Sequence, residues 1–127
     1  MKDISKTIIA LERAALEQWN EGDPSGYIEL YADDITYFDP FFEQRMDGIK
    51  RMKEYYEKIR GKIKVLSYKM INPVVQLLGN NAAVLTYNLI SKGGDGNTYK
   101  WNCTEVYRLE GENWKIAHNH WAFTTPA

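Results

Sequence analysis

The 127-residue chain contains one cysteine, two histidines and four prolines, and it carries a net charge of only −1 from sixteen basic and seventeen acidic residues. Each shortage removes a class of function. A single thiol, Cys103, closes no internal disulfide and completes no four-ligand zinc site, which fits a reducing cytoplasm. Near-neutrality removes the basic field that non-specific nucleic-acid binding needs. No run approaches the roughly 18 uninterrupted apolar residues of a membrane helix. Asp3, Lys6, Glu12, Arg13 and Glu17 interrupt the N-terminal segment too often for a signal peptide. The nucleophile-elbow, P-loop, zinc and calcium patterns are all missing. The expectation is a cytoplasmic protein without nucleic-acid or membrane partners, and without a metal or cofactor.

What is plentiful is aromatic: four Trp, nine Tyr and four Phe make up 13% of the chain. A domain of this length buries roughly two-thirds of the surface its unfolded form exposes, so residues 1–127 are expected to form one domain with its own core. Aromatic side chains can fill that core, line a pocket or cover an interface, and composition alone does not apportion them.

Periodicity gives the order of elements. Ile4, Ile8, Leu11, Ala15 and Trp19 form an apolar stripe at helical spacing over about 4–21, ended by Gly22. Asp23-Pro24 opens a short second helix, PSGYIELYA, with Tyr27, Leu30 and Tyr31 on its apolar side. Ile35 to Phe38 has strand content and ends at Asp39-Pro40. A third helix from near Asp47 to Gly61 carries Ile49, Met52, Tyr55, Tyr56 and Ile59; its adjacent pair, Tyr55 and Tyr56, is not expected to face inward together. From Lys62 to Pro126 four long strand-like runs alternate with turn clusters, which predicts an antiparallel meander. Pro73, inside the first of these runs, predicts an edge strand or a bulge. Helices first and strands afterwards describe an α+β domain with the helices on one face of a curved sheet.

This order, with its particular motifs, resembles the cone-shaped nuclear transport factor 2-like fold: three N-terminal helices packed on a strongly curved, mainly antiparallel sheet. YADDITYFDP at 31–40 is similar to the corresponding stretch of ketosteroid isomerases and SnoaL-like polyketide cyclases. INPVVQLLGNNAAVLTYNL at 71–89 and ENWKIAHNHW at 112–121 resemble the association (hub) domain of calcium/calmodulin-dependent protein kinase II. The fold hosts enzymes, transport factors and assembly modules, so function has to be argued from the site.

The isomerase resemblance implies Asp39 as general base, with Tyr37 on the same face of its strand and Glu105 in place of a protonated acid that supports an enolate. The family's helix-1 tyrosine falls at Ala15, and no tyrosine occurs in residues 1–26. Asp39 before Pro40 is also an ordinary turn signal, and a carboxylate such as Glu105 is commonly satisfied by an arginine or a tyrosine hydroxyl. Alternation places Trp101, Cys103, Glu105 and Tyr107 on one face, and Ala117, Asn119, Trp121 and Phe123 on one face of the last strand. By the resemblance these faces look into the cone, where Trp19 and Tyr55 join them as candidate ligand contacts. Hub domains carry an arginine where Glu105 stands, in a pocket for anions. The reversed charge disfavours an anion here and leaves room for a neutral or cationic, aromatic-friendly ligand.

His118 and His120 share the opposite face with Ile116, Ala122 and Arg108. Two histidines can begin a metal site, but no further ligand completes one. The resemblance instead places them on the outer sheet face, where with Arg108 they would meet a second copy in a homodimer. Three functions follow as expectations. The first is a cytoplasmic, homodimeric protein binding a small hydrophobic or aromatic molecule; the second is a cofactor-independent isomerase, cyclase or dehydratase using Asp39; the third is a free-standing association module that assembles into a ring.

Overall fold

The computed structural model describes residues 3–125; Pro126, the end of the expected strand region, lies outside the described residues. Helix α1 spans Ile4–Asn20, α2 Ser25–Leu30 and α3 Ile49–Ile59; strands are β1 Tyr31–Phe38, β2 Met46–Asp47, β3 Val65–Leu77, β4 Ala82–Gly93, β5 Thr98–Glu110 and β6 Asn113–Phe123. The six strands form one sheet in the order β2-β1-β6-β5-β4-β3. The meander β3 to β6 is antiparallel throughout, whereas β1 joins β6 in parallel. This is the α+β architecture that the sequence pattern predicts, in the nuclear transport factor 2-like form that the resemblance implies.

Asp3 caps α1 by accepting a hydrogen bond from the Lys6 N–H. At the other end Gly22, at φ 89°, takes a left-handed turn that side chains resist, and its carbonyl accepts the Gly61 N–H at the foot of α3. The Asp23 carboxylate accepts the Ser25 N–H at 2.9 Å, while α2 begins one residue later than the Asp-Pro pair predicts, with Pro24 at the capping position. Ala15 and Gly26 let α1 and α2 approach closely: a Cβ on Gly26 would stand 3.0 Å from the Ala15 Cα. A small residue at 15 is thus a packing requirement of this chain.

The sheet curls around the helices. β3 is its edge, and the register slips between Ile71 and Val74, with Asn72 at φ 52° and Pro73 beside it. Both expectations for Pro73, edge and bulge, hold together. On the concave face Ala83, Leu85, Tyr87, Leu89 and Ser91 alternate inward from β4 and are buried. With Ile8, Ile35, Met52 and Tyr107 they build the core beneath the helices.

Two local expectations change. Tyr31 belongs to β1 instead of the second helix, because pairing with Ile116 on β6 outweighs the helical spacing from Tyr27. Ile116 is fully buried and lies opposite Tyr107, not on the outer face with His118. A register shift at Val106/Tyr107 inserts one residue into β6, and strict alternation fails across it.

Candidate functional site

The helices do not fill the cone. A cavity of about 320 Å³ remains, walled by aromatic rings from both layers. From the helical side come Trp19, Tyr55 and Tyr56, joined by Tyr37 of β1; from the sheet come Trp101 and Trp121. Ring centroids lie 5.1 Å apart for Trp19–Tyr56, 5.2 Å for Tyr55–Tyr56 and 5.9 Å for Trp101–Trp121, mostly edge to face. Tyr55 and Tyr56 both line the cavity, contrary to the sequence expectation. Neighbours on a helix point about 100° apart, and a concave wall reaches both: Tyr56 from the buried side, half-buried Tyr55 from nearer solvent.

Asp39 is the carboxylate in this lining. It stands just past β1, 8% exposed; its Oδ1 accepts the Phe41 N–H at 2.8 Å and its Oδ2 the Tyr55 hydroxyl at 2.9 Å. The turn role and the cavity position therefore coexist in one side chain. Burial, then the Asp39 charge, raises the Tyr55 hydroxyl's pKa and keeps it a donor.

The remaining inward-facing residues lie deeper. Cys103, Glu105, Tyr107 and Asn119 are buried and absent from the lining, so Asp39 and Glu105 do not converge on the cavity. Asn119 Oδ1 accepts the Tyr31 hydroxyl at 2.7 Å and the Trp121 indole N–H at 3.2 Å, and the Tyr31 hydroxyl lies 2.9 Å from that of Tyr56. A polar chain thus connects the deep layer to the cavity wall.

At the base of the cone stands Glu12, which the sequence reading treated only as a charge near the N-terminus. It is fully buried and accepts three tyrosine hydroxyls: Tyr27 at 2.8 Å, Tyr87 at 2.6 Å and Tyr107 at 2.8 Å. Three donors on one carboxyl group suit the acceptor-only chemistry of an ionised carboxylate. A sequence signal existed: Glu12 lies four residues after Ile8 and four before Leu16, on the buried stripe of α1. Glu105 faces this charge from β5. Among the described residues neither of its oxygens has a hydrogen-bond donor. Burial, then the neighbouring Glu12, pushes its pKa well above the usual carboxylate range, which favours the protonated form of Glu105.

Ligand atoms of Glu12, Cys103 and Glu105 lie within 4.8 Å of one another, the one grouping of three potential metal ligands among the described residues. The tyrosines already occupy Glu12, and a proton on Glu105 answers its charge. The arrangement therefore fits an acid pair better than a cation site. Burial raises the Cys103 thiol's pKa, which makes it a poor nucleophile.

On the outer face the Thr36 hydroxyl lies 2.8 Å from His118 Nδ1, and Phe38 packs against His118 and His120 at 5.6 and 5.1 Å between ring centroids. Partial burial, then His120, lowers the His118 pKa. Arg108 is held within the chain by Asp34 and Glu110, each at 2.6 Å.

Residues 5–125 match the calcium/calmodulin dependent protein kinase II association domain family. The chain belongs to this family. Its match to the calcium/calmodulin-dependent protein kinase type II alpha chain of Drosophila melanogaster is 31% identical over 119 residues, covering 89% of this chain and 22% of that protein. The association domain spans about a quarter or less of the curated relatives it matches. A crystal structure from Parabacteroides distasonis, described as a candidate ketosteroid isomerase, superposes with TM-score 0.88 at 38% identity, covering 98% of this chain and 91% of that one. A nuclear transport factor 2-like protein of unknown function from Pseudomonas putida shares the fold, with TM-score 0.84 at 20% identity over 98% and 96% of the two chains. No helix among the association domain's described residues is long and apolar enough to cross a membrane.

Proposed function

We propose that this association domain is a self-associating protein that binds a small molecule with a largely apolar body inside its cone. The observation that carries the reading is the unfilled cavity of about 320 Å³, whose size and aromatic walls are those of ligand sites in general.

Self-association is supported by family membership and by the outer sheet face. Alternation turns Thr36, Phe38, Thr104, Val106, His118 and His120 away from the helices, and none of them is fully buried. This mixed apolar and polar face suits contact with a second copy. Arg108, committed to Asp34 and Glu110, is less free to reach a partner than His118 and His120.

Catalysis in the same cavity would assign Asp39 as base, with Tyr37 and Glu105 in support. The relative described as a candidate isomerase favours that second reading, but the geometry favours binding. Both Asp39 oxygens are already engaged as acceptors, one by a turn N–H and one by the Tyr55 hydroxyl, and Glu105 lies beside Glu12, outside the cavity lining. Two measurements test the proposal. Native mass spectrometry of purified protein should give a multiple of the chain mass, and a monomer at micromolar concentration would refute self-association. A thermal-shift screen with small aromatic compounds should find stabilisers whose effect disappears in Ser91→Phe, which fills the cavity; a screen without a hit would sink the binding reading.

A further inference from the structure

We infer that the cavity is selective for an organic cation, an ammonium group carried on an apolar or aromatic body. The inference rests on the small-molecule reading above and names its ligand class.

The first ground is charge. The buried polar and charged side chains are Glu12, Asp39, Ser91, Glu105 and Asn119, with no lysine, arginine or histidine among them. Asp39 thus stands in the lining without a basic partner among the described residues, and each of its oxygens keeps a lone pair beyond the one donor it accepts. Glu12 adds a second buried acid deeper in the cone, held as an acceptor by three tyrosine hydroxyls, and no buried base stands opposite it. Buried charge of one sign raises the free energy of every anion entering and lowers that of every cation.

The second ground is the wall. Trp19, Tyr37, Tyr55, Tyr56, Trp101 and Trp121 surround the space that Asp39 faces. Their ring faces carry the negative quadrupole that attracts an ammonium, and a low-dielectric enclosure strengthens that attraction. The third ground is the kind of polar group on offer. Asn20 also lines the cavity, and its side-chain oxygen is buried without a donor. Ser91 Oγ accepts the Trp101 indole N–H at 3.1 Å. These two groups place neutral acceptors in the lining beside Asp39. The lining's basic exception is Lys64, which is exposed, and Arg13 lies outside the lining near Tyr68, whose hydroxyl donates to Glu17.

Calorimetry with three benzyl probes tests the inference: benzyltrimethylammonium, its neutral carbon isostere neopentylbenzene, and the anion phenylacetate. The quaternary ion carries its charge at every pH. The cation should bind on the order of tenfold more tightly than the neutral isostere, and phenylacetate should not bind. In Asp39→Asn the cation's advantage should vanish while the isostere binds as before, which also reports that the variant's cavity is intact. Equal binding of cation and isostere to the unaltered protein would overturn the charge selectivity and leave the small-molecule reading standing. Binding by none of the three would count against both. Tight phenylacetate binding that disappears in Lys64→Met would assign the charge recognition to Lys64 and overturn the inference.

Discussion

Replacing Glu105 by Gln should stabilise the protein, and increasingly so as pH rises. In the unfolded chain this glutamate titrates near 4.5; in the folded state burial and Glu12 hold its proton well above that. Between those two values the unfolded state has lost a proton that the folded state still carries, so stability falls as pH rises. The slope is about 1.4 kcal/mol per pH unit. If the proton is retained to pH 7, the accumulated cost relative to acid conditions is roughly 3 kcal/mol, a large share of a typical domain's margin. Gln keeps the shape and offers an amide N–H toward Glu12 without a proton to lose. Urea unfolding from pH 5 to 8 measures the effect directly: the unaltered protein's midpoint should fall relative to that of Glu105→Gln across this range, with m-values unchanged. Parallel pH profiles, or a variant that loses ground as pH rises, would refute a protonated Glu105.

Three further outcomes follow from the geometry. Tyr107→Phe removes one of the three donors on Glu12 and should cost about 1.5–3 kcal/mol in denaturant unfolding, as for a hydrogen bond to a charged group. Gly26→Ala puts a methyl group 3.0 Å from the Ala15 Cα and should lower stability by about 1–3 kcal/mol, with a lower melting temperature as the readout. Val106→Glu, on the outer sheet face, should reduce the mass measured by light scattering while leaving the circular dichroism spectrum unchanged.

The elements and their order were legible because helical and strand periodicities differ sharply, and because Gly22, Asp23-Pro24, Gly61 and the Gly-Asn turns mark their ends. Pairing across long separations was less legible. Tyr31 continues the helical spacing of Tyr27, and only the distant Ile116 reveals it as a strand residue. Ile116 in turn follows a bulge that no local residue announces. In the site, Asp39 was placed beside the aromatic cone by the isomerase resemblance of its Asp-Pro stretch, since the dipeptide alone reads equally well as a turn. The deep layer needed more. Glu12 occupies an apolar position of α1 because three tyrosines, from α2, β4 and β5, converge on it, and that convergence exists only in three dimensions.

The placement of β6 has a consequence for how the chain reaches its fold. The latest strand in sequence, Asn113–Phe123, lies between β1 and β5 at the middle of the sheet. While the polypeptide is being synthesised, β1 and β2 have no strand to join the meander through until the ribosome has passed Phe123. Helix α1 can pack on β3 before β6 exists, whereas closure of the β1 side draws together partners as far apart as Tyr31 and Ile116. Such long-range closure is slow compared with local helix formation. The interval before β6 docks is when this chain is most open to aggregation, and to a chaperone.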